Sequence, residues 1–151
     1  MFSIFKRKKI FSKEEQQLIV SVIQKAERLT SGEVRVYVEN RCSYMDALDR
    51  AIELFDKLNM QMTQERNGVL VYVAIKDHQL AVFGDEGIHQ KVGNDYWNTE
   101  VIKMIRDFNR DDYVQGIAGC VEDIGQALHQ FFPYTPGKDK NELSDEIEFG
   151  R

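Results

Sequence analysis

The sequence predicts an α/β protein in which a small mixed β-sheet is covered by helices on both faces. The first observation is the order of the periodic segments, which is α, β, α, β, β, α, α. The second is that the first strand, the next helix and the next strand form a βαβ unit, which most simply joins two parallel strands. The third is that the last two strands are separated by a short polar link, so they are expected to pair antiparallel.

The bulk composition indicates one globular domain. The chain has 151 residues, of which 42% are hydrophobic and 30% are charged, so it is long enough to bury a core. Its net charge of −5 argues against a nucleic-acid-binding protein, which would normally present a basic face. The cysteines, Cys42 and Cys120, lie far apart and have no metal-ligand spacing. They are typical of reduced thiols in a cytoplasmic protein.

The chain divides into three predicted parts. Residues 1–11 are expected to form a flexible basic arm, because a basic cluster follows a few apolar residues and there is no signal-peptide pattern. Such an arm makes at most weak contact with a membrane surface. Residues 12–133 form the folded domain, in which no apolar run reaches the roughly 20 residues of a membrane helix. Residues 134–151 are expected to form a disordered acidic tail.

The first half of the domain has clear signals for its helices and strands. Ser12 begins the first helix with a capping box, "SKEE". The segment "EVRVYVEN" alternates in polarity and predicts a strand with unequal faces. Ser43 is expected to open the second helix. The segment "VLVYVAI" is apolar on both faces, which favours a central strand.

The second half begins with the strand "LAVFG", which is followed by an acidic, glycine-bearing loop. Asn94 or Asp95 is expected to cap the next helix. The last helix has apolar residues spaced four, three and four apart, namely Ile117, Val121, Ile124 and Leu128. Its glycines indicate a close approach, which we expect to be to the sheet.

A cation site is predicted at one end of the sheet. Ligands of α/β proteins favour the crevice at the carboxyl ends of the strands. Three loops are expected there: one after the first strand, one after the last strand and one between the last two helices. Oxygen-rich loops suit Ca²⁺, and Mg²⁺ is the second choice. The candidate ligands are the carboxylates Asp85, Glu86, Asp95, Asp111 and Asp112.

The spacing of these acids matches no EF-hand, so helix caps and solvated turns are the alternative. His89, in the same loop, could be a ligand, a base or an exposed side chain. There is no nucleophile elbow or phosphate loop, so hydrolysis would need a metal-activated water. Arg41, Lys76 and Arg110 are the basic candidates for holding a phosphate.

Three segments together resemble the TPM domain family. They are "SGEVRVYVE", "RNGVLVYVAIKDHQLAVFGDEGIHQKVGNDYW" and "FNRDDYVQGIAGCVEDIGQALHQFFP". The resemblance covers about Glu15 to Pro133, and the sequence "GDEGI" is similar to that of small soluble bacterial members.

The resemblance implies a three-layer α/β/α sandwich. It also implies calcium binding at acidic loops in some relatives, acid phosphatase activity in some, and accessory roles in the upkeep of membrane complexes in others. Asp95 and Asp112 match acids of the family, whereas Asp85 and Glu86 match the bacterial subgroup. Many relatives carry a signal sequence and a transmembrane segment, which we do not expect here.

Three functions follow as expectations. The first is an accessory or interaction module that binds a divalent cation, with calcium as the expected ion. The second is a metal-dependent, acid-phosphatase-like hydrolase that uses the same acidic cleft. The third is a protein-interaction domain that binds no metal and uses its acids as helix caps.

Overall fold

The structure, a computed structural model, describes residues 10–42, 44–135 and 147–150. Within these ranges the chain forms helices and strands in an order that agrees with the predicted α/β pattern and adds two elements. In chain order they are α1 (Lys13–Glu27), β1 (Glu33–Glu39), α2 (Ala47–Lys57), β2 (Gly68–Ala74), β3 (Gln79–Gly84), α3 (Glu86–Val92), α4 (Asn94–Phe108), α5 (Tyr113–Phe131) and β4 (Glu148–Phe149).

The strands form one mixed sheet in the order β3-β2-β1-β4. Strands β1 and β2 are parallel, with Val34 opposite Val69, as the βαβ pattern predicts. Strands β2 and β3 are antiparallel, with Val69 opposite Gly84, as the short hairpin link predicts. The fold class predicted from the sequence is therefore confirmed.

Alternation along the strands divides the core between the two faces of the sheet. The even-numbered valines of β1 and the odd-numbered valines of β2 pack with α1, α3, α4 and α5. Leu70, Tyr72 and Ala74 of β2 point to the other face and pack with α2. Because β2 is covered on both faces, all seven of its residues are buried, which explains its continuous apolar sequence.

The ends of the domain differ from the prediction. Phe11, assigned to the flexible arm, is only 4% exposed and belongs to the core, so ordered packing begins before residue 12. Glu148 and Phe149, assigned to the disordered tail, pair with Tyr37 and Val38 of β1. The prediction of disorder is therefore wrong for these tail residues. Residues 1–9 of the arm, and residues 136–146 and 151 of the tail, lie outside the described residues.

Two local predictions about the helices also need correction. Helix α2 begins at Ala47 and is capped by Asp46, whose side chain accepts a hydrogen bond from the Asp49 amide; Ser43 lies outside the described residues. Two of the three glycines of α5, Gly116 and Gly125, approach other helices rather than the sheet, and Gly119 approaches nothing. A Cβ at Gly116 would contact α4, and one at Gly125 would lie 2.6 Å from Ala26 of α1.

Candidate functional site

The three loops that were expected to meet lie at opposite ends of the sheet. Because β3 is antiparallel to β2, its last residues lie beside the first residues of β2, and the Asp85 amide donates to the Gly68 carbonyl. The loop after β1, Glu39 to Arg41, lies beyond the other end of the same strands. A seven-residue strand is roughly 20 Å long. The prediction that both loops share one crevice is therefore wrong.

The segment predicted as an acidic loop is largely a helix, α3. Asp85 is its N-cap, and its side chain accepts a hydrogen bond from the Glu86 amide at 2.7 Å. Gly87 brings α3 against the turn before β2, because a Cβ there would lie 2.1 Å from the Glu65 carbonyl oxygen. The Gly87 amide instead donates to the Arg66 carbonyl at 2.8 Å. The glycine is thus required for close packing of two backbones.

The carboxylate of Asp85 is occupied by a guanidinium group. Arg66 Nε lies 2.7 Å from Asp85 Oδ2, and Arg66 Nη2 lies 2.9 Å from Oδ1, a bidentate arrangement. Asp85 is buried, whereas the neighbouring Glu86 is exposed and its carboxylate lies 3.4 Å from Arg66 Nη1. Arg66 therefore supplies, from within the chain, the positive charge that was predicted for a metal ion.

The other predicted ligands are divided between two places. Asp95 lies in the first turn of α4, exposed, at the same end of the molecule as Asp85; the N-cap of this helix is Gly93, not Asn94 or Asp95. Asp112 is the N-cap of α5, and Asp111 directly precedes it. Helix α4, which has 15 residues and spans about 22 Å, separates these two from Asp95.

The five carboxylates consequently do not form one site. In the ranges that the structure describes, no group of three or more His, Cys, Asp or Glu side chains is placed to hold a metal ion. The basic candidates for holding a phosphate do not lie beside Asp85. Arg41 pairs with Asp77, Lys76 follows β2 and Arg110 follows α4. The predicted five-ligand calcium set does not fit this arrangement.

A groove runs along β3, at the edge of the sheet. Its volume is about 850 Å³. Leu48 and Ile52 of α2 form one wall, and they are 49% and 42% exposed. Trp97, Asn98 and Val101 of α4 form the other wall, and Leu80 to Gly84 of β3 form the floor. Asp85, Glu86, His89 and Asn94 close the polar end. The groove therefore has a mainly apolar body with a charged end.

A hydrogen bond fixes the polar end of the groove. The indole Nε1–H of Trp97 donates to His89 Nδ1 at 3.0 Å, so the imidazole is held as the tautomer that carries its proton on Nε2. The ring of Trp97 also packs on Gly84, where a Cβ would lie 2.3 Å from it. Trp97 and Gly84 together join α4 to the end of β3.

The floor of the groove presents main-chain hydrogen-bonding groups. In an antiparallel pair, alternate residues exchange hydrogen bonds with the partner strand. The Asp85 amide bonds to Gly68, so every second residue before Asp85 also directs its main-chain groups toward β2. These residues are Phe83, Ala81 and Gln79. The main-chain groups of the residues between them face away from β2. Those residues are Leu80, Val82 and Gly84. Among the described strands, β3 pairs with β2 only, so these groups form an edge without a second partner strand. Leu80 is half-buried at this edge, whereas Val82 and Gly84 are buried.

A second polar cluster, which was not predicted from the sequence, lies between α4 and α5. Glu100 is only 2% exposed, and its Oε1 has no hydrogen-bond partner within the described part of the chain. Lys103 Nζ lies 3.1 Å from Asp123 Oδ2 and 3.7 Å from Glu100 Oε2. Burial, followed by the negative charge of Asp123, raises the pKa of Glu100 to about 7, although Lys103 opposes this.

Comparison with known families agrees with the fold and with the resemblance of the motifs. A sequence model of the TPM domain matches residues 4–127, which is most of the chain. The chain belongs to the TPM domain family. A comparison with curated proteins gives no match.

Two solved structures resemble this TPM domain. The NMR structure of the BA42 protein from the psychrophilic bacterium Bizionia argentinensis has 37% sequence identity and a TM-score of 0.86, over 95% of this chain and 97% of that chain. The solution NMR structure of the N-terminal domain of the cg2496 protein from Corynebacterium glutamicum has 10% identity and a TM-score of 0.64, over 79% of this chain and 74% of that chain. The second shares the fold alone.

Within residues 10–42, 44–135 and 147–150, no helix of this TPM domain protein combines the length and the apolar character needed to cross a bilayer.

Proposed function

We propose that this TPM domain protein is an accessory module that binds a segment of a partner protein in the groove beside β3. The observation that carries the proposal is the free edge of β3 at the floor of an apolar groove between two helices. Soluble proteins normally cover such edges or charge them. A groove of this size with a few polar groups at one end is typical of a ligand site.

A peptide selection tests this function. Random heptapeptides displayed on phage are selected on the wild-type protein and then compared on Ile52→Arg, which places a charged side chain on the wall of the groove. Ile102→Arg is the matched control, because Ile102 is also an exposed isoleucine of a helix but does not line the groove. We expect the selected peptides to bind the wild type and Ile102→Arg, and to lose binding to Ile52→Arg. Peptides that bind all three proteins equally would refute the proposal.

Binding of a divalent cation is a second, separate proposal. The exposed carboxylates of Glu86 and Asp95 support it, since both lie at the polar end of the molecule near α3 and α4. Calcium takes six to eight oxygen ligands, so two carboxylates would require several water or backbone oxygens, and we expect weak binding. Binding to the folded state raises the melting temperature by mass action. A calcium-dependent rise that disappears in Glu86→Gln and Asp95→Asn would support this proposal, and no rise with calcium or magnesium would refute it.

A phosphatase-like activity remains a prediction of the family resemblance. Arg66, which was not among the three basic residues named from the sequence, pairs with Asp85 and Glu86 of the polar end of the groove. Turnover of a generic phosphomonoester, measured with and without calcium, magnesium and chelator, checks it. Activity that is retained in Arg66→Met would exclude a role for this cation.

A further inference from the structure

The edge of β3 points to the form in which a partner segment binds. Resting on the proposed function, we propose that the groove takes up an extended peptide that adds as a fifth strand to the sheet, beside β3, and that this peptide combines apolar with basic residues. Peptide recognition by strand addition derives affinity from main-chain hydrogen bonds and specificity from pockets for alternate side chains. Both components are available in the groove.

The first argument is the hydrogen-bonding pattern of the floor. Leu80, Val82 and Gly84 direct their amides and carbonyls away from β2, and no hydrogen bond joins these amides to another described element outside the sheet. Strand β3 has six residues, so its edge is roughly 20 Å long. That length fits a peptide of about six residues in extended form.

The second argument is the chemistry of the two walls. Successive side chains of a strand point to opposite faces, so an added strand would direct one set toward α2 and the other toward α4. Leu48 and Ile52 face one set, and Trp97 and Val101 face the other. Apart from Asn98, the residues of both walls are apolar, which favours apolar side chains on both faces of the peptide.

The third argument is the charge at the rim. Glu86 lines the polar end and is exposed. Asp49 and Glu53 of α2 do not line the groove, but they are exposed and follow the two apolar wall residues in sequence. Arg66 neutralises part of this charge through its pairs with Asp85 and Glu86, and Arg50 pairs with Glu53. The remaining excess of acid favours a basic side chain in the peptide, and like charges would oppose an acidic one.

Amide hydrogen exchange tests strand addition directly. The heptapeptides from the selection above are resynthesised and added to the full chain. We expect exchange to slow roughly tenfold or more at Leu80, Val82 and Gly84. The amides of Ala81 and Phe83, which already face β2, should change little. Equal slowing at all five positions, or at none, would overturn the proposal.

Proline substitution provides the matched test of the hydrogen bonds. Leu80→Pro removes an amide that faces the groove, and proline is tolerated at an edge strand when its nitrogen faces outward. Gln79→Pro removes an amide that faces β2 and leaves the groove amides in place. We expect peptide affinity to fall roughly five- to tenfold in Leu80→Pro, and to be retained in folded Gln79→Pro. Equal affinity in Leu80→Pro and wild type would refute strand addition.

The outcomes separate the two proposals. One outcome is that peptides lose binding to Ile52→Arg but keep their affinity for Leu80→Pro and do not produce the alternating exchange pattern. This outcome would keep the groove as the binding site and refute strand addition. If no peptide is sensitive to Ile52→Arg, the proposed function itself fails. A synthetic peptide with the sequence of residues 1–9, which combines apolar and basic residues, is tested in parallel. If it binds best, the occupant is this chain rather than a separate partner.

Discussion

Replacing the buried carboxyl group of Glu100 by an amide is expected to stabilise the protein at neutral and alkaline pH. Burial and the nearby carboxylate of Asp123 raise the pKa of Glu100 from its ordinary value of 4.5 to about 7. The unfolded chain releases this proton near pH 4.5, whereas the folded chain holds it up to about pH 7. Between these values the folded state binds more protons, so the free energy of unfolding falls as the pH rises.

The magnitude follows from the two pKa values. A tenfold difference in acid dissociation constant corresponds to about 1.4 kcal/mol. The change from 4.5 to about 7 therefore corresponds to about 3 kcal/mol of stability lost above neutral pH. For a domain of this size, about 3 kcal/mol equals roughly 10 °C in melting temperature. Glu100→Gln keeps the size of the side chain and removes the ionisation.

Urea denaturation of wild type and Glu100→Gln at several pH values between 4 and 8 measures this effect. We expect similar stabilities near pH 4 and an advantage for Glu100→Gln that grows to about 3 kcal/mol by pH 8. The exposed Glu122 provides a control, because Glu122→Gln makes the same change of charge on α5 without a buried carboxyl group. A difference that is constant across the pH range would show that Glu100 ionises as freely in the folded state as in the unfolded chain. A loss of stability at pH 8 would show that the folded state stabilises the ionised carboxylate, and either result would refute the reasoning.

Three further substitutions test the backbone packing and the helix cap described above. Gly119→Ala should stabilise α5 by about 0.5–1 kcal/mol in chemical denaturation, because a Cβ there meets nothing within 4 Å; a loss of stability would contradict this. Gly87→Ala should destabilise the protein by several times the gain expected for Gly119→Ala, because the added carbon would lie 2.1 Å from a carbonyl oxygen. Unchanged stability would mean that α3 can move away from the preceding turn. Asp85→Ala should lower the free energy of unfolding by at least about 1 kcal/mol through loss of the N-cap alone. Asparagine can also cap a helix, so an equal loss in Asp85→Asn and Asp85→Ala would argue against a role for the cap.

The parts of the fold that were predicted from the sequence are those set by local patterns. The capping box at Ser12, the apolar run of β2 and the spacing of Ile117, Val121, Ile124 and Leu128 each depend on neighbouring residues, and the structure confirms them. Helix α3 was missed because it has only seven residues, with one buried apolar side chain, Ile88, and a glycine in its first turn.

The site was harder to predict because it depends on which ends of the strands meet. The antiparallel pairing of β3 was predicted correctly, but its consequence was not: Asp85 must lie at the opposite end of the sheet from the loop after β1. The pair of Asp85 with Arg66 joins residues 19 positions apart, and nothing in the spacing of the two indicates it. The burial of Glu100 likewise arises where α4 and α5 pack together, which a polar residue in a helical pattern does not reveal.

The helices beside β3 also have a consequence for self-association. An exposed strand edge is a template on which copies of a protein can stack into aggregates. Here α2 and α4 both contact β3 and stand on either side of it. A whole sheet from another molecule would meet these helices before it reached the backbone of β3. Under the proposed strand addition, the same edge would serve a guest chain while the two helices oppose fibril growth.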